Sequence, residues 1–236
     1  MRMVIIAAMT AVLALPCPAI AGGTALIPAL ERLADAGNAE AIYHLGMAYQ
    51  TGSGVTEDHA RALAAFRKAQ ALGDPLASYK LGCYFAGQGA GLVNEDLALA
   101  LKYKLVAAEA GYSLAQFDVG LLHGRSGDPA AARQWIERSA AQGFTQGLMI
   151  LSVMYNGAPG IDRDAAKTAA YFRLALARLQ PNDKQTAWLA DFESRLSPDD
   201  RSRADEIVRN YQPAPTPLTR KALAGQGAAQ ALVDNR

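Results

Sequence analysis

Apolar positions in this chain return on a helical beat, and the beat itself repeats. Ala41, Ile42, Leu45 and Tyr49 fall at i, i+1, i+4 and i+8, one face of a 3.6-residue helix over about Ala39 to Gln50. A second helix is predicted from about Asp58 to Leu72, carrying Phe66. The line Ala41-x-Tyr43-x-Leu45-Gly46-x-x-Tyr49 then returns as Ala77-x-Tyr79-x-Leu81-Gly82-x-x-Phe85 and as Ala115-x-Phe117-x-Val119-Gly120-x-x-His123. A worn fourth copy reads Gly147-x-Met149-x-Leu151-Ser152-x-x-Tyr155. A repeat of this length predicts a stacked array of helix pairs, in which each pair buries its apolar face against its neighbours.

The punctuation agrees with the periodicity. Asp58, Asp96, Asp128 and Asp164 stand at the start of each second helix, where a carboxylate accepts from free backbone N–H groups and meets the positive end of the helix dipole. Gly37, Gly73, Gly111 and Gly143 end these helices, and Asn38, Asp74-Pro75, Ser113 and Thr145 are available to open the next. The recurring glycine inside the first helix (Gly46, Gly82, Gly120) carries a propensity cost of about 1 kcal/mol against Ala. Its return predicts a packing role, as the point where neighbouring hairpins touch.

Ala29 to Ala36 reads as a lone second helix that caps the first pair. Past the repeats, Trp188, Leu189, Phe192 and Leu196 keep helical spacing, and Ser197-Pro198-Asp199-Asp200 opens another helix. The predicted division is 1–21 as a signal peptide, 22–38 as an N-terminal capping helix, 39–180 as repeats, 181–211 as C-terminal capping helices, and 212–236 as a mobile tail. The tail reading rests on Pro213, Pro215 and Pro217 followed by small and polar residues.

At this point the chain resembles the Sel1-like repeat family, relatives of the tetratricopeptide arrays. The resemblance rests on Tyr43-x-Leu45-Gly46-x-x-Tyr49, Gly52-Ser53-Gly54-Val55, Asp58, and Trp135-Ile136-Glu137-Arg138-Ser139-Ala140-Ala141-Gln142-Gly143. It covers roughly residues 29 to 180. The third copy lacks the Gly-x-Gly-Val loop, and the fourth has Ser152 for the helix glycine and Leu179 where the terminal glycine would fall. The resemblance implies an all-α, right-handed α/α solenoid of about four Sel1-like helix pairs with capping helices at both ends. It also implies a non-enzymatic adaptor or scaffold acting on proteins or peptides, with a role in the bacterial envelope that extends to regulation. The alternative it leaves open is a cell-wall fragment or β-lactam binding protein, or an enzyme on such ligands.

The start of the chain changes the expected location. Met1-Arg2, an apolar run from Val4 to Leu15, and Ala19-Ile20-Ala21 make a secretory signal with cleavage expected after Ala21. The mature chain is then periplasmic or secreted, with no transmembrane segment. Cys17 would tether the chain if lipidated, but Pro16 precedes it where a small residue is needed. Cys83 is then the one mature cysteine and reads as a small buried hydrophobe.

Charge and candidate chemistry narrow the picture further. The net charge is +1, with no basic stripe to neutralise phosphates, so nucleic acid is not the expected partner. His44, His59 and His123 have no partners at zinc-ligand spacing, Gly87-x-Gly89-x-Gly91 lacks the ending of a phosphate loop, and no serine sits in a nucleophile elbow. No catalytic residue, metal site or cofactor is expected. The predicted interaction surface is the side of the first helices that includes positions 40, 44 and 47 and their equivalents, with His44, Lys80 and Asp118 facing a groove that takes an unidentified protein or peptide.

Overall fold

The computed structural model describes residues 23–89 and 91–235; the signal segment, Cys17 and the cleavage site lie outside the described residues. Among the described residues the regular structure is all helical. Helix α1 (Gly23–Asp35) leads into four hairpins: α2 (Ala39–Thr51) with α3 (His59–Ala71), α4 (Pro75–Cys83) with α5 (Leu97–Glu109), α6 (Ser113–Arg125) with α7 (Pro129–Ala141), and α8 (Thr145–Tyr155) with α9 (Ala165–Leu176). Then come α10 (Asp183–Ser194), α11 (Pro198–Asn210), α12 (Pro217–Ala224) and α13 (Gln226–Asp234).

Caps set the helix starts. Asp58, Asp96, Asp128 and Asp164 accept from the N–H of Arg61, Leu99, Ala131 and Lys167 at 2.9–3.0 Å. Asn38 and Asp74 do the same for α2 and α4. The pattern changes at α6 and α8. Their N-caps are Tyr112 and Phe144, which make no side-chain cap, so Ser113 and Thr145 begin the helices instead of capping them. Gly37, Gly73, Gly111 and Gly143 adopt φ of 82–93°, the left-handed turn that sends the chain from one hairpin to the next. In the second copy the helix breaks after α4 at Ala86 and Gly87, where Gly87 takes φ 90° ahead of the longer loop.

The recurring helix glycines do not lie where neighbouring hairpins meet. A Cβ on Gly46 would stand 2.7 Å from the Phe66 ring of α3, one on Gly82 2.5 Å from Lys104 of α5, and one on Gly120 2.7 Å from Ile136 of α7. Each glycine therefore closes its own hairpin. The reason is angular: five residues separate Ala41 from Gly46, which places them about 140° apart around the helix, so they meet different neighbours. The small residue at the start of the motif marks the other seam. Ala41, Ala77 and Ala115 are fully buried, and a Cβ on Gly147 would lie 3.2–3.5 Å from Ala140 of the preceding hairpin. In the fourth copy Ser152 replaces the helix glycine and donates to the Thr168 carbonyl of α9 at 2.9 Å. That carbonyl sits four residues after the cap Asp164, as Ala100 and Ala132 do after theirs, and a side chain there is kept by a hydrogen bond.

At the C-terminal end α11 packs along α9, through Ala204, Ile207 and Val208 against Ala166, Ala169 and Ala170. The segment read as a mobile tail is ordered. Residues 212–216 run extended, and α12 and α13 turn back to the other end of the array, where Ala229, Leu232 and Val233 join Leu26, Leu30 and Ile42 in the first core cluster. The prolines explain the extended part, because a residue before proline is held out of the helical region: Thr216 sits at φ −66°, ψ 163°. Thr216 then caps α12 through the N–H of Thr219 at 3.1 Å, with Pro217 in the first turn.

Candidate interaction surface

Counting from the cap aspartate of the first three hairpins shows what faces the core. The eighth residue is Phe66 in α3 and Ile136 in α7, and both are fully buried. In α5 the same position is Lys104, only 5% exposed. With no side chain on Gly82, the lysine stem crosses α4 there, and Nζ reaches Asp118 Oδ2 of the following hairpin at 2.5 Å. Tyr79 donates its hydroxyl to the same oxygen at 3.1 Å. Lys104, Tyr79 and Asp118 thus clamp the second hairpin to the third.

Around this clamp half-buried tyrosines from successive copies converge. Tyr79 and Tyr112 meet edge-on at 5.0 Å, and Tyr43 packs near the Phe66 ring at 6.1 Å. Burial, with Cys83 and Asp118 nearby, pushes the Tyr112 hydroxyl up to about 12. Burial raises Tyr79 further, helped by the adjacent Asp118 charge. The Tyr79 hydroxyl thus stays protonated as the donor to Asp118. The Cys83 thiol is buried and pushed up by desolvation, against the pull of Lys104, Tyr79 and Lys80, which favours its neutral, packed form. Lys80 lies 5.7 Å from the Phe66 ring centre, and burial pulls its ammonium below the ordinary lysine value.

The three residues predicted to share a groove are therefore split. Lys80 and Asp118 flank Cys83 and Tyr79 in one neighbourhood, with Asp118 engaged by Lys104. His44 belongs to a second neighbourhood, which the tail covers. Glu40 accepts from Lys221 of α12 at 2.8 Å and stands 3.7 Å from His44 Nε2. His44 is 7% exposed and its Nε2 has no hydrogen-bond partner. It lines a cavity of about 180 Å³ with Leu26, Leu30, Tyr43, Met47 and Lys221. Burial depresses the His44 imidazole below its ordinary value, with Glu40 opposing the shift and Lys221 adding to it.

That depression has a defined sign. The folded chain holds His44 neutral, so the unfolded chain takes up the proton first as pH falls through about 6.5. Stability associated with this site is complete above that pH and declines below it. Urea midpoints of the wild type and His44→Gln at pH 7.5, 6.5 and 5.5 check this: the wild type loses more between the first and last than the variant does, and equal losses would refute it.

Lys104 and the tail are the parts of this surface that the sequence reading missed. Strict counting from Asp96 would have found a lysine in a core slot. Thr216-Pro217 carries the same cap-and-proline signal as Ser197-Pro198 and would have predicted α12. Among the described residues no group of three or more metal-ligating side chains gathers, and no helix is long and apolar enough to cross a membrane.

Tandem two-helix units joined by left-handed glycine turns, with aromatic and charged side chains fixed on rigid helices, define an α-solenoid of the kind that mediates protein–protein interaction. The Sel1 repeat family model matches residues 39–74, 75–112, 113–144 and 146–178, more than half of the chain, and the chain belongs to that family. Two solved structures share the architecture. One is c5321, described as a protective antigen present in uropathogenic Escherichia coli strains displaying an SLR fold, with a TM-score of 0.62 and 26% identity over 87% of this chain and 42% of that one. The chain thus spans less than half the length of that relative. The other is a Sel1 repeat protein from Oxalobacter formigenes, with a TM-score of 0.62 and 26% identity over 79% of this chain and 78% of that one. No curated protein matches the chain.

Proposed function

We propose that this chain is a non-enzymatic scaffold exported to the bacterial envelope, where it holds a protein partner on the surface built by α2, α4 and α6. The observation that carries this reading is the convergence of half-buried Tyr43, Tyr79 and Tyr112 beside Lys80, Asp74 and Asp118. Tyrosines locked by packing supply contact area at little entropy cost, and charged groups beside them supply specificity. The polar groups that meet at the Lys104 clamp satisfy one another, which suits a structural clamp better than a catalytic centre. Export follows from the expected signal at residues 1–21.

A site-specific photo-crosslinker tests the reading. The residue p-benzoyl-phenylalanine is placed at Lys80, and separately at Arg67 on the exposed side of α3. The Lys80 position should capture a discrete partner from the envelope fraction, on a chain whose intact mass lacks residues 1–21. Arg67 should capture none. Equal capture from both positions, or a chain that keeps its first 21 residues and stays in the cytosolic fraction, would overturn the proposal.

A further inference from the structure

The tail reads as a ligand seated on the repeats. Tyr211 donates to the Ala140 carbonyl at 2.6 Å, Pro213 lies over Gly143, and the Ala214 N–H donates to the Ala141 carbonyl at 3.0 Å. The Thr216 N–H donates to Gln142 Oε1 at 3.0 Å, and its hydroxyl donates to the Gly111 carbonyl at 2.8 Å. The Thr219 hydroxyl donates to Gln142 Oε1 at 2.7 Å and accepts from the Ser113 N–H at 2.9 Å. Thr219 thereby supplies a partner for the first amide of α6, the helix whose own N-cap is an unhelpful tyrosine. Gln142 is held for this task, since its amide donates to Gly111 O and to Gln116 Oε1.

Two further observations separate a ligand track from an ordinary packed terminus. First, the close approach is local. A Cβ on Gly111 would stand 2.9 Å from Thr216, and one on Gly143 3.1 Å from Pro213, while Gly37 and Gly73 at the equivalent turns have nothing within 4 Å. Second, the seating is shallow. Of residues 212–235 only Thr219 and Ala229 are buried, so polar groups and two hydroxyls hold the track, with little apolar area behind them. Bonds of this kind contribute about 1 kcal/mol each, and a competitor that offers the same groups can replace them, provided it outweighs the effective concentration of the tethered segment.

We propose that the track from Gly143 through Gln142 to Gly111 and Ser113 is a recognition site for an extended, proline-flanked segment of a partner protein that carries Ser or Thr hydroxyls three residues apart, and that residues 213–219 are its resident, displaceable occupant. The inference rests on the scaffold reading and specifies its partner. Proline fixes such a segment in the extended form before it docks, so little order is lost on binding. The free site is exposed when the occupant leaves, which makes binding a competition between a tethered segment and an incoming one.

The test uses the full chain and a fluorescent synthetic peptide with the sequence of residues 211–222. Titrated onto the wild-type chain, the peptide should bind saturably and raise hydrogen exchange in residues 212–224, with α3 to α9 unchanged. A peptide with Val at the positions of Thr216 and Thr219 should bind at least about tenfold more weakly. The full-chain variant Thr216→Val/Thr219→Val, whose resident segment is loosened, should bind the unmodified peptide about tenfold more tightly than the wild type does. The proposal is overturned if the peptide binds neither chain, if it binds without raising exchange in the tail, or if exchange of tails between two copies produces a dimer in place of peptide binding. None of these failures affects capture at Lys80, so the scaffold reading stands or falls separately.

Discussion

Asp118→Ala should destabilise the chain by about 3–5 kcal/mol, because it leaves the Lys104 ammonium buried without a counter-charge. Lys104 is 5% exposed, and the Tyr79 ring 5.5 Å from Nζ cannot replace a carboxylate. In a chain of this size the loss should lower Tm by about 6–20 °C. Removing both charges should behave differently. Lys104→Ile installs the residue that the third copy uses at the same position, Ile136, and Lys104→Ile/Asp118→Leu exchanges a buried ion pair for apolar contact. The double variant should recover most of the stability, since replacing a buried pair by well-packed apolar groups is often neutral or favourable. Urea unfolding of Lys104→Ile, Asp118→Leu and the double variant closes the cycle. A loss below 1 kcal/mol for Asp118→Ala, or strictly additive effects, would show that the pair is not a clamp. The expected non-additivity also has a consequence for function. Lys104 and Tyr79 both reach from the second hairpin to Asp118 in the third, so a partner that disturbs Asp118 would change how these hairpins sit.

The parts of the fold that were legible in the sequence are those governed by local rules. Cap aspartates, left-handed glycines and the apolar stripe of each first helix depend on residues within a few positions, and they define the four hairpins. Reading failed where the answer depends on which neighbour a position meets. The helix glycines were assigned to the seam between hairpins, yet Gly46 meets Phe66 inside its own hairpin, and Gly147 marks the seam that was sought. For Lys104 only its distance from Asp96, equal to that of Phe66 from Asp58, places it in the core. The tail failed for a different reason. Pro213 and Pro215 keep the chain extended up to the cap Thr216, and nothing within the segment signals that Gln142, 74 residues before Thr216, accepts its N–H. Of the three proposed surface residues, Lys80 and Asp118 share a neighbourhood because they lie on successive first helices at i, i+38. His44 drops out because α12 brings Lys221 onto Glu40 beside it.

Gly46→Val should cost about 3 kcal/mol. The mutation improves intrinsic helix propensity by a few tenths of a kcal/mol, so a destabilised product isolates the packing effect. A Cβ at this position already falls 2.7 Å from the Phe66 ring and 3.3 Å from Ala65, and valine adds two methyls in a helix that allows essentially one rotamer. Phe66 is fully buried and packed against Tyr43 and Tyr84, with ring centres at 6.1 and 6.0 Å, so it cannot step aside. Overpacking of this kind costs about 1–3 kcal/mol, and here it acts on a rigid ring. Phe66→Leu alone should also destabilise, by leaving space beside Gly46. The combination Gly46→Val/Phe66→Leu exchanges volume across the contact and should be more stable than the sum of the single losses by at least 1 kcal/mol. The parallel change Ser152→Val in α8 tests the alternative solution used by the fourth copy. There the loss should come from the second donor removed from the Thr168 carbonyl as well as from bulk. If Gly46→Val unfolds at the same urea concentration as the wild type, α2 and α3 are not in the close contact that holds the first hairpin together, and the equivalent contacts at Gly82 and Gly120 lose their rationale with it.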